Sequence, residues 1–425
     1  MTAPAIATDI GIALDRDADD ELADLRSAFD LPRQDGGAAL HYLCGHSLGL
    51  MPATARQAVI RELDRWSRLG AEAHFDAGGW FAFHERFSAP LAALIGAEAR
   101  EVVAMNSLTV NLHLMLASFF RPTGERRRIL IEHGAFPSDR YAVESQLAFH
   151  GLDPATELVR LAAESGRLTA ESLDAALARD DGRVALVLLP GIQYLTGEAI
   201  DLAACAAVAR RHGCRIGFDL AHAIGNLELD LRASEPDFAV WCSYKYLNGG
   251  PGAVGGCFVN RRWIEDDSLP RLAGWWGHDP RTRFDGATGF SPIASAEAWQ
   301  LSNPPILAMA PLEASLTLFA NAGLERLRRK SVALTGYLEA LVRALCGDAV
   351  EILTPADPAG RGAQLSLRLR REATAAARIA ASMRAAGVVV DWRAPDVLRL
   401  APVPLYNRFV DVHAGASALA AALEE

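Results

Sequence analysis

Short apolar runs alternate with longer amphipathic stretches between about residue 102 and residue 260. The short runs predict strands, and apolar positions that recur every three or four residues predict helices. The predicted strands are residues 102–105, 128–132, 184–189, 215–219, 238–242 and 254–259, and the predicted helices are residues 109–120, 138–149, 170–178 and 202–212. Because helices of this length suit crossovers between parallel strands, we expect a large α/β domain with a mostly parallel, doubly wound sheet.

The two ends of the chain predict a second unit. Helical periodicity covers residues 53–69, and one or two long amphipathic helices follow Pro304-Pro305 over residues 310–345. Residues 362–370 alternate like a half-buried strand, residues 373–386 predict a helix, and residues 387–400 predict further strands. We therefore expect a small α+β domain built from both chain ends. The predicted division is residues 1–70 and 309–425 for the small domain and residues 71–308 for the large domain.

Composition narrows the class of ligand. The chain has 425 residues, of which 51% are hydrophobic, and this is ample for a buried core. Its 42 basic and 52 acidic residues give a net charge of −10, which argues against nucleic acid or an anionic membrane as the partner. Six cysteines without paired spacing predict neither a zinc site nor disulfides, and no signal peptide or membrane span is predicted. These features predict a cytoplasmic protein that binds a small molecule without a metal.

Two neighbouring strand ends carry candidate chemistry. The run RIGFDLAH ends a predicted strand at Asp219 and continues to His222. The run FAVWCSYKYLNGGPG leads from the next strand into Tyr244, Lys245 and a glycine-rich turn. Open α/β proteins bind ligands at the edge where the carboxyl ends of parallel strands meet.

An amine and a carboxylate at that edge suit an aldehyde cofactor. A lysine forms an imine with an aldehyde, and an ionised aspartate at a pyridine nitrogen keeps the ring able to accept electrons. A single Asp or Lys at a strand end is usually only a solvated terminus. Lys245 and Asp219 together, with the glycines that follow, predict a pyridoxal phosphate site.

A phosphate group needs its own cradle. Residues 105–109 follow a strand and open a helix, so they offer unpaired backbone N–H groups and the hydroxyl of Thr109. After the next strand, Phe136 and Asp139 can place a ring and a carboxylate near a cofactor. Ordinary helix caps and turns explain both segments equally well when each is taken alone.

Taken together, these motifs make the chain resemble kynureninase, a hydrolase of the aspartate-aminotransferase-like fold. The resemblance covers nearly the whole chain, and its motifs are residues 42–52 (YLCGHSLGLMP), 105–113, 136–139, 217–223, 243–252 (SYKYLNGGPG), 274–278 (GWWGH), 302–306 and 400–407.

The resemblance implies roles toward the cofactor. Leu108, Thr109 and Tyr244 would meet the phosphate, and Phe136 would stack on the ring with Asp139 nearby. Further implied cofactor residues are Asp219 and His222 at the pyridine nitrogen, Lys245 as the covalent attachment, and Trp275 and Asn303 from a partner subunit. The implied active unit is a homodimer with its sites at the interface. Pro190 departs from relatives that often carry a hydroxyl there, so a cofactor hydrogen bond is lost or supplied elsewhere.

The resemblance also implies the substrate and the reaction. Arg399 matches the arginine that binds the substrate carboxylate, and the implied substrate set also includes Ser47, His74 and Asn303. The polar residues His74 and Asn303 resemble those of relatives that favour a 3-hydroxylated ring. The implied reaction is hydrolysis of the Cβ–Cγ bond of L-kynurenine or 3-hydroxy-L-kynurenine, which gives L-alanine and anthranilate or 3-hydroxyanthranilate. Lys245, Asp219 and Tyr244 are the implied catalytic residues.

Two alternatives stay open from the sequence. A cysteine desulfurase-like lyase on the same fold needs a reactive cysteine on a mobile loop, whereas Cys257 falls in a predicted strand and Cys346 at a helix end. A non-catalytic pyridoxal-phosphate-binding regulator usually carries a basic DNA-binding segment, and neither end of this chain supplies one.

Overall fold

Strands and helices alternate through the middle of the chain. The structure, a computed structural model, describes residues 8–162, 167–266, 268–286, 289–372 and 375–424. Its strands are β1 (Phe29–Asp30), β2 (His41–Tyr42), β3 (Met51–Pro52), β4 (Val102–Ala104), β5 (Arg128–Glu132), β6 (Leu158–Leu161), β7 (Val184–Pro190), β8 (Arg215–Asp219), β9 (Phe238–Trp241), β10 (Gly256–Val259), β11 (Val350–Ile352), β12 (Leu365–Leu369), β13 (Val388–Val389), β14 (Asp391–Arg393) and β15 (Val397–Leu400). Its α-helices are α1 (Ile10–Ala18), α2 (Ala55–Leu69), α3 (Glu85–Ile95), α4 (Leu108–Phe119), α5 (Pro137–Phe149), α6 (Pro154–Glu157), α7 (Ala170–Arg179), α8 (Leu202–Arg211), α9 (Leu231–Ser234), α10 (Arg261–Ile264), α11 (Ile306–Ala322), α12 (Leu324–Cys346), α13 (Ala375–Ala385) and α14 (Phe409–Glu424).

The large sheet confirms the predicted fold class. Its strand order is β4-β10-β9-β8-β7-β5-β6, and β9, β8, β7, β5 and β6 run parallel. Strand β10 is antiparallel to both of its neighbours. All six predicted strands are present. The prediction missed the edge strand β6, because this four-residue strand is only partly buried and has little apolar pattern.

Helix bounds differ slightly from the prediction. The four crossover helices α4, α5, α7 and α8 begin and end within one residue of the predicted limits. The stretch predicted as 310–345 is two helices, α11 and α12, which meet at an angle of 85°. Helix α11 begins at Ile306, immediately after Pro305, because a proline is tolerated at a helix start. The earlier helix α2 packs against α11.

A second, antiparallel sheet lies in the C-terminal part of the chain. Its strand order is β11-β12-β15-β14. Both chain ends meet there, because β13 pairs with β2 and α1 packs against α14. The predicted helix 373–386 corresponds to α13, although residues 373 and 374 lie outside the described residues. The small α+β unit is thus confirmed, whereas the exact boundaries at residues 70 and 308 stay predictions.

No single helix among the described residues is long and apolar enough to cross a membrane. The bent pair of α11 and α12 meets that length and composition test only when its two helices are counted together.

Asp411 ties the N-terminal segment to α14. Its carboxylate is fully buried and accepts hydrogen bonds from Arg26 Nη1 at 2.8 Å and from the Arg408 backbone N–H at 2.9 Å, and it lies 2.7 Å from His41 Nδ1. Burial alone would raise the pKa of Asp411, but the contact with His41 and the charges of Arg26 and Arg408 outweigh it and lower the pKa to about 2.

We expect Asp411→Asn to lower the free energy of unfolding by about 2 kcal/mol at pH 7. Because the folded-state pKa is depressed, this stability is present above the unfolded-state pKa of about 4 and is lost as the pH falls toward 2. Urea unfolding at several pH values measures both effects, with Asp348→Asn at an exposed position as the control. Equal stability of wild type and Asp411→Asn at pH 7 would show that these bonds contribute nothing.

Candidate active site

The two predicted strand ends meet at one cavity. Strand β8 ends at Asp219, and its parallel neighbour β9 leads through residues 242–244 to Lys245. Both side chains line a cavity of about 180 Å³ at the carboxyl edge of the sheet. The complete lining is Leu108, Thr109, Ile131, Glu132, Ala135, Phe136, Ser138, Asp139, Leu188, Leu189, Pro190, Ile192, Tyr194, Asp219, Ala221, His222, Tyr244 and Lys245. The lining includes every cofactor residue expected from this subunit.

One end of the cavity is built to receive an anion. Leu108 and Thr109 open helix α4, and no side chain caps the N–H groups of its first turn. Thr109 Oγ1 lies 2.8 Å from Ser138 Oγ, so two hydroxyls stand beside this helix end. Gly255 permits the close approach of the backbone, since a Cβ there would lie 2.8 Å from Trp241 O and 3.1 Å from Leu108 N. A helix N-terminus with free N–H groups stabilises phosphate oxygens.

Two carboxyl groups, those of Asp139 and Asp219, lie together in the lining of the cavity. Burial and the neighbouring Asp219 charge raise the pKa of Asp139 well above its usual value. Burial also raises the pKa of Asp219, while the positive charge of Lys245 and the hydrogen bond from Ala221 N–H, 2.7 Å long, act in the opposite direction. The pair therefore favours an ionised Asp219 beside a protonated Asp139.

Buried polar atoms in this cavity fit a pyridoxal phosphate ring. Asp139 Oδ1 and His222 Nδ1 are buried and have no hydrogen-bond partner among the described residues. Burial and the Lys245 charge lower the pKa of His222 well below its usual value, so the imidazole is neutral. Unpaired buried polar atoms are costly unless a ligand satisfies them. The unpaired atoms of Asp139 and His222, the carboxylate of Asp219 and the first turn of α4 together match the polar groups of this cofactor.

Aromatic rings flank the lysine. Lys245 Nζ lies 5.8 Å from the ring centroids of both Phe136 and Tyr244. The Phe136 ring meets Tyr194 edge-on, with the centroids 5.2 Å apart. Pro190 ends β7 directly beside Asp219 on β8, and a proline there offers the cofactor no side-chain hydrogen bond.

The sequence analysis missed three polar residues of the cavity: Glu132, Ser138 and Tyr194. Glu132 is the last residue of β5, so the rule that ligands bind at the carboxyl edge was the signal for it. Burial raises the pKa of Glu132 to about 7, although the hydrogen bond from Gln193 acts against this. Ser138 lies in the first turn of α5, inside the motif of residues 136–139 of which only Phe136 and Asp139 were predicted to be site residues. Tyr194 lies in a turn whose sequence carries no special pattern.

Two of the predicted substrate residues lie just outside the cavity. Arg399 is buried on β15, and its Nη1 donates to the carbonyl oxygen of Tyr194 at 2.6 Å. Ser47 lies in the turn of residues 44–49, which reaches the lysine loop through a bond from Gly49 N–H to Tyr244 O at 2.8 Å. A Cβ on Gly49 would lie 2.3 Å from Lys245 O, so this contact requires glycine.

The remaining predicted residues are not among those that line the cavity. His74 packs among aromatic rings, with centroid distances of 5.3 Å to Trp80 and 5.1 Å to Phe81. Trp275 is 45% exposed and Asn303 is exposed. Their roles stay predictions.

Comparison with solved structures identifies the fold. A C-DES mutant with glycine covalently linked to its PLP cofactor superposes with a TM-score of 0.77, at 18% identity, over 90% of this chain and 96% of that one. The cysteine desulfurase CsdA from Escherichia coli gives a TM-score of 0.75, at 18% identity, over 95% of this chain and 98% of that one. These likenesses show the fold, which is that of the aminotransferase-like pyridoxal phosphate enzymes.

Comparison with known sequences identifies the family. The kynureninase of Xanthomonas euvesicatoria pv. vesicatoria (strain 85-10) is 55% identical over 93% of this chain and 94% of its own length. The kynureninase of Stenotrophomonas maltophilia (strain K279a) is 53% identical over 94% of this chain and 95% of its own length. The family model described as "Kynureninase C-terminal domain" matches residues 327–419. The chain belongs to the kynureninase family.

The lysine content makes the cofactor attachment easy to test. The chain has two lysines, Lys245 and Lys330, and Lys330 is buried with its Nζ 2.7 Å from Asp20 Oδ2. We expect borohydride reduction of the holoprotein to fix the cofactor on Lys245, as located by peptide mass spectrometry. Lys245→Ala should lose the imine absorbance of the cofactor, whereas the control Lys330→Arg should keep it. A cofactor label on Lys330 would overturn the assignment.

Proposed function

We propose that this chain hydrolyses the Cβ–Cγ bond of L-kynurenine or 3-hydroxy-L-kynurenine and releases L-alanine and anthranilate or 3-hydroxyanthranilate. This proposal rests on one observation: Lys245 and Asp219 line the same buried cavity in a chain of the kynureninase family. The curated relatives share the name kynureninase over nearly their full length, which supports this reaction over others on the same fold.

Each part of the cavity suits one part of pyridoxal phosphate. The first turn of α4, with Leu108 and Thr109, would hold the phosphate with the Tyr244 hydroxyl. Phe136 would cover the ring face, and Asp139, Asp219 and His222 would meet its polar edge. Once bound, the cofactor supplies an electron sink for negative charge that forms on the substrate.

The residues of the chain would then move the protons. The Lys245 amine would take the proton from the substrate Cα, since it is the amine that lines the cavity. Burial raises the pKa of Tyr244, so its hydroxyl stays protonated and can act as a proton donor. Asp219 would remain ionised and would stabilise the positive charge of the protonated ring nitrogen of the cofactor.

Substrate recognition follows from charge and polarity. Arg399 would bind the substrate α-carboxylate, and Ser47 would contribute from the neighbouring turn. His74 and Asn303 would contact the aromatic ring. Because these two side chains are polar, the enzyme would favour the 3-hydroxylated substrate.

An exposed aromatic surface supports a homodimer. Phe75, Phe81, Phe284 and Trp275 form a continuous chain of ring contacts, in which Phe75 is 73% and Phe284 is 63% exposed. An apolar groove lined by Trp66, Trp80 and residues 305–308 lies near this surface. Large exposed apolar patches mark protein interfaces. A second copy of the chain docked here would bring Trp275 and Asn303 toward the partner's cavity.

The state of the cysteines fits a cytoplasmic enzyme and also argues against a desulfurase. All six cysteines are unpaired and buried, as expected in a reducing compartment. Burial raises the pKa of Cys205 to about 12 and that of Cys346 to about 11, and it also raises the pKa of Cys257. A thiol held protonated in this way is a poor nucleophile.

Activity is tested with both substrates side by side, by following the fluorescence of the aminobenzoate product. We expect hydrolysis of each, with the larger kcat/KM for 3-hydroxykynurenine and no turnover by Lys245→Ala. Silence with both substrates in a protein that holds its cofactor would refute the reaction. A clear preference for kynurenine would refute only the role given to His74 and Asn303.

The oligomeric state is tested by light scattering. We expect wild type at twice the mass of one chain. Leu307→Asp, in the apolar groove, should shift the protein toward a monomer and lower its activity, because a buried unpaired charge is costly. Phe149→Asp, at the exposed far end of α5, serves as the matched control and should remain dimeric. A monomeric, fully active wild type would contradict the proposal.

A further inference from the structure

The carboxylate of Asp391 contacts Arg399, the predicted substrate-binding arginine. Asp391 and Arg399 face each other across the antiparallel strands β14 and β15. Asp391 Oδ2 accepts a hydrogen bond from Arg399 Nε at 2.6 Å and a second one from Arg399 Nη2. Two bonds to a single carboxylate oxygen hold one edge of the guanidinium in place, because the planar fork has a fixed geometry.

The guanidinium keeps donors for another anion. A guanidinium has five N–H groups, and Arg399 commits two to Asp391 and one, on Nη1, to the carbonyl oxygen of Tyr194. Tyr194 lines the cofactor cavity, so this bond fixes Arg399 against the cavity wall. Two N–H groups of Arg399, one on each terminal nitrogen, remain for a ligand.

The charged groups around Asp391 carry a net positive charge. Asp391 also accepts a hydrogen bond from Arg393 Nε at 3.0 Å, so one carboxylate faces two guanidinium groups. His46 Nε2 also lies 3.6 Å from Asp391 Oδ2, and the Cys44 thiol is a further titratable neighbour of this group among the described residues. Burial and the Arg399 charge lower the pKa of His46 to about 4, so it adds no charge at neutral pH. The net charge of about +1 favours an incoming carboxylate.

We propose that Asp391 is a positioning residue that holds Arg399 by one edge and turns its remaining N–H groups toward the α-carboxylate of the amino-acid substrate. The inference rests on the proposed function, because it assumes that Arg399 binds this carboxylate. Without Asp391, the buried guanidinium loses its partner and its fixed orientation, so substrate binding suffers more than the chemical step.

The test compares Asp391→Asn with Asp396→Asn. Both remove one negative charge from the same hairpin, but Asp396 lies 3.7 Å from Arg368 and away from Arg399. We expect Asp391→Asn to raise the KM for kynurenine about tenfold, the equivalent of about 1.4 kcal/mol, while kcat changes less than about threefold. Asp396→Asn should change neither value by more than about twofold. Unchanged cofactor absorbance shows that each variant is folded and loaded.

Three further measurements separate positioning from general damage. Asp391→Glu retains the charge, so its KM should lie between those of wild type and Asp391→Asn. In an Arg399→Met background, Asp391→Asn should have no further effect, because its influence passes through the arginine. Finally, L-alanine binding, followed by the change in cofactor absorbance, should weaken about tenfold in Asp391→Asn.

The outcomes distinguish this proposal from the proposed function. If the wild type fails to hydrolyse kynurenine but binds L-alanine in a manner that depends on Asp391, the reaction is refuted and the positioning role stands. If Asp391→Asn leaves both the KM and L-alanine binding within about twofold of wild type, the positioning role is overturned. An effect of equal size in the Arg399→Met background, or no L-alanine binding by wild type, also overturns it.

Discussion

A buried acid and a half-buried amine that line one cavity set the requirements for the rest of this fold. Asp219 and Lys245 can converge only because β8 and β9 are parallel neighbours whose carboxyl ends meet at one edge. Such a site needs compensation for burying charge. The structure provides it through the Ala221 N–H bond to Asp219 and through the mutual attraction of the Asp219 and Lys245 charges. The first turn of α4, with Leu108 and Thr109, lines the same cavity.

The small antiparallel sheet completes the site from the opposite end of the chain. Strand β15 carries Arg399 to the cavity wall, and the turn of residues 44–49 reaches the lysine loop through Gly49. The bonds of Asp411 join the two chain ends that supply these parts. In the proposed function, substrate recognition by Arg399 and cofactor attachment at Lys245 would therefore depend on the packing of the two sheets, although these residues are far apart in sequence.

The sequence predicted the elements whose apolar residues recur at the spacing of a strand or a helix. Alternation of apolar runs with amphipathic helices was enough for six strands of the large sheet, and strand ends located Asp219 and Lys245. It could not predict β6, whose partly buried four residues lack a pattern. Nor could it place Asp391 and His46 behind Arg399, because their contacts depend on the pairing of β14 with β15 and on a turn more than 300 residues away. Glu132 was within reach, since it ends a predicted strand at the ligand-binding edge.

In the proposed function, Asp219 keeps the ring nitrogen of the cofactor protonated. Nitrogen-15 NMR of holoprotein loaded with ring-labelled pyridoxal phosphate measures this protonation directly. We expect a protonated nitrogen in wild type at pH 8 and an unprotonated one in Asp219→Asn, because the carboxylate stabilises the positive ring. The same protonation state in both proteins would contradict it.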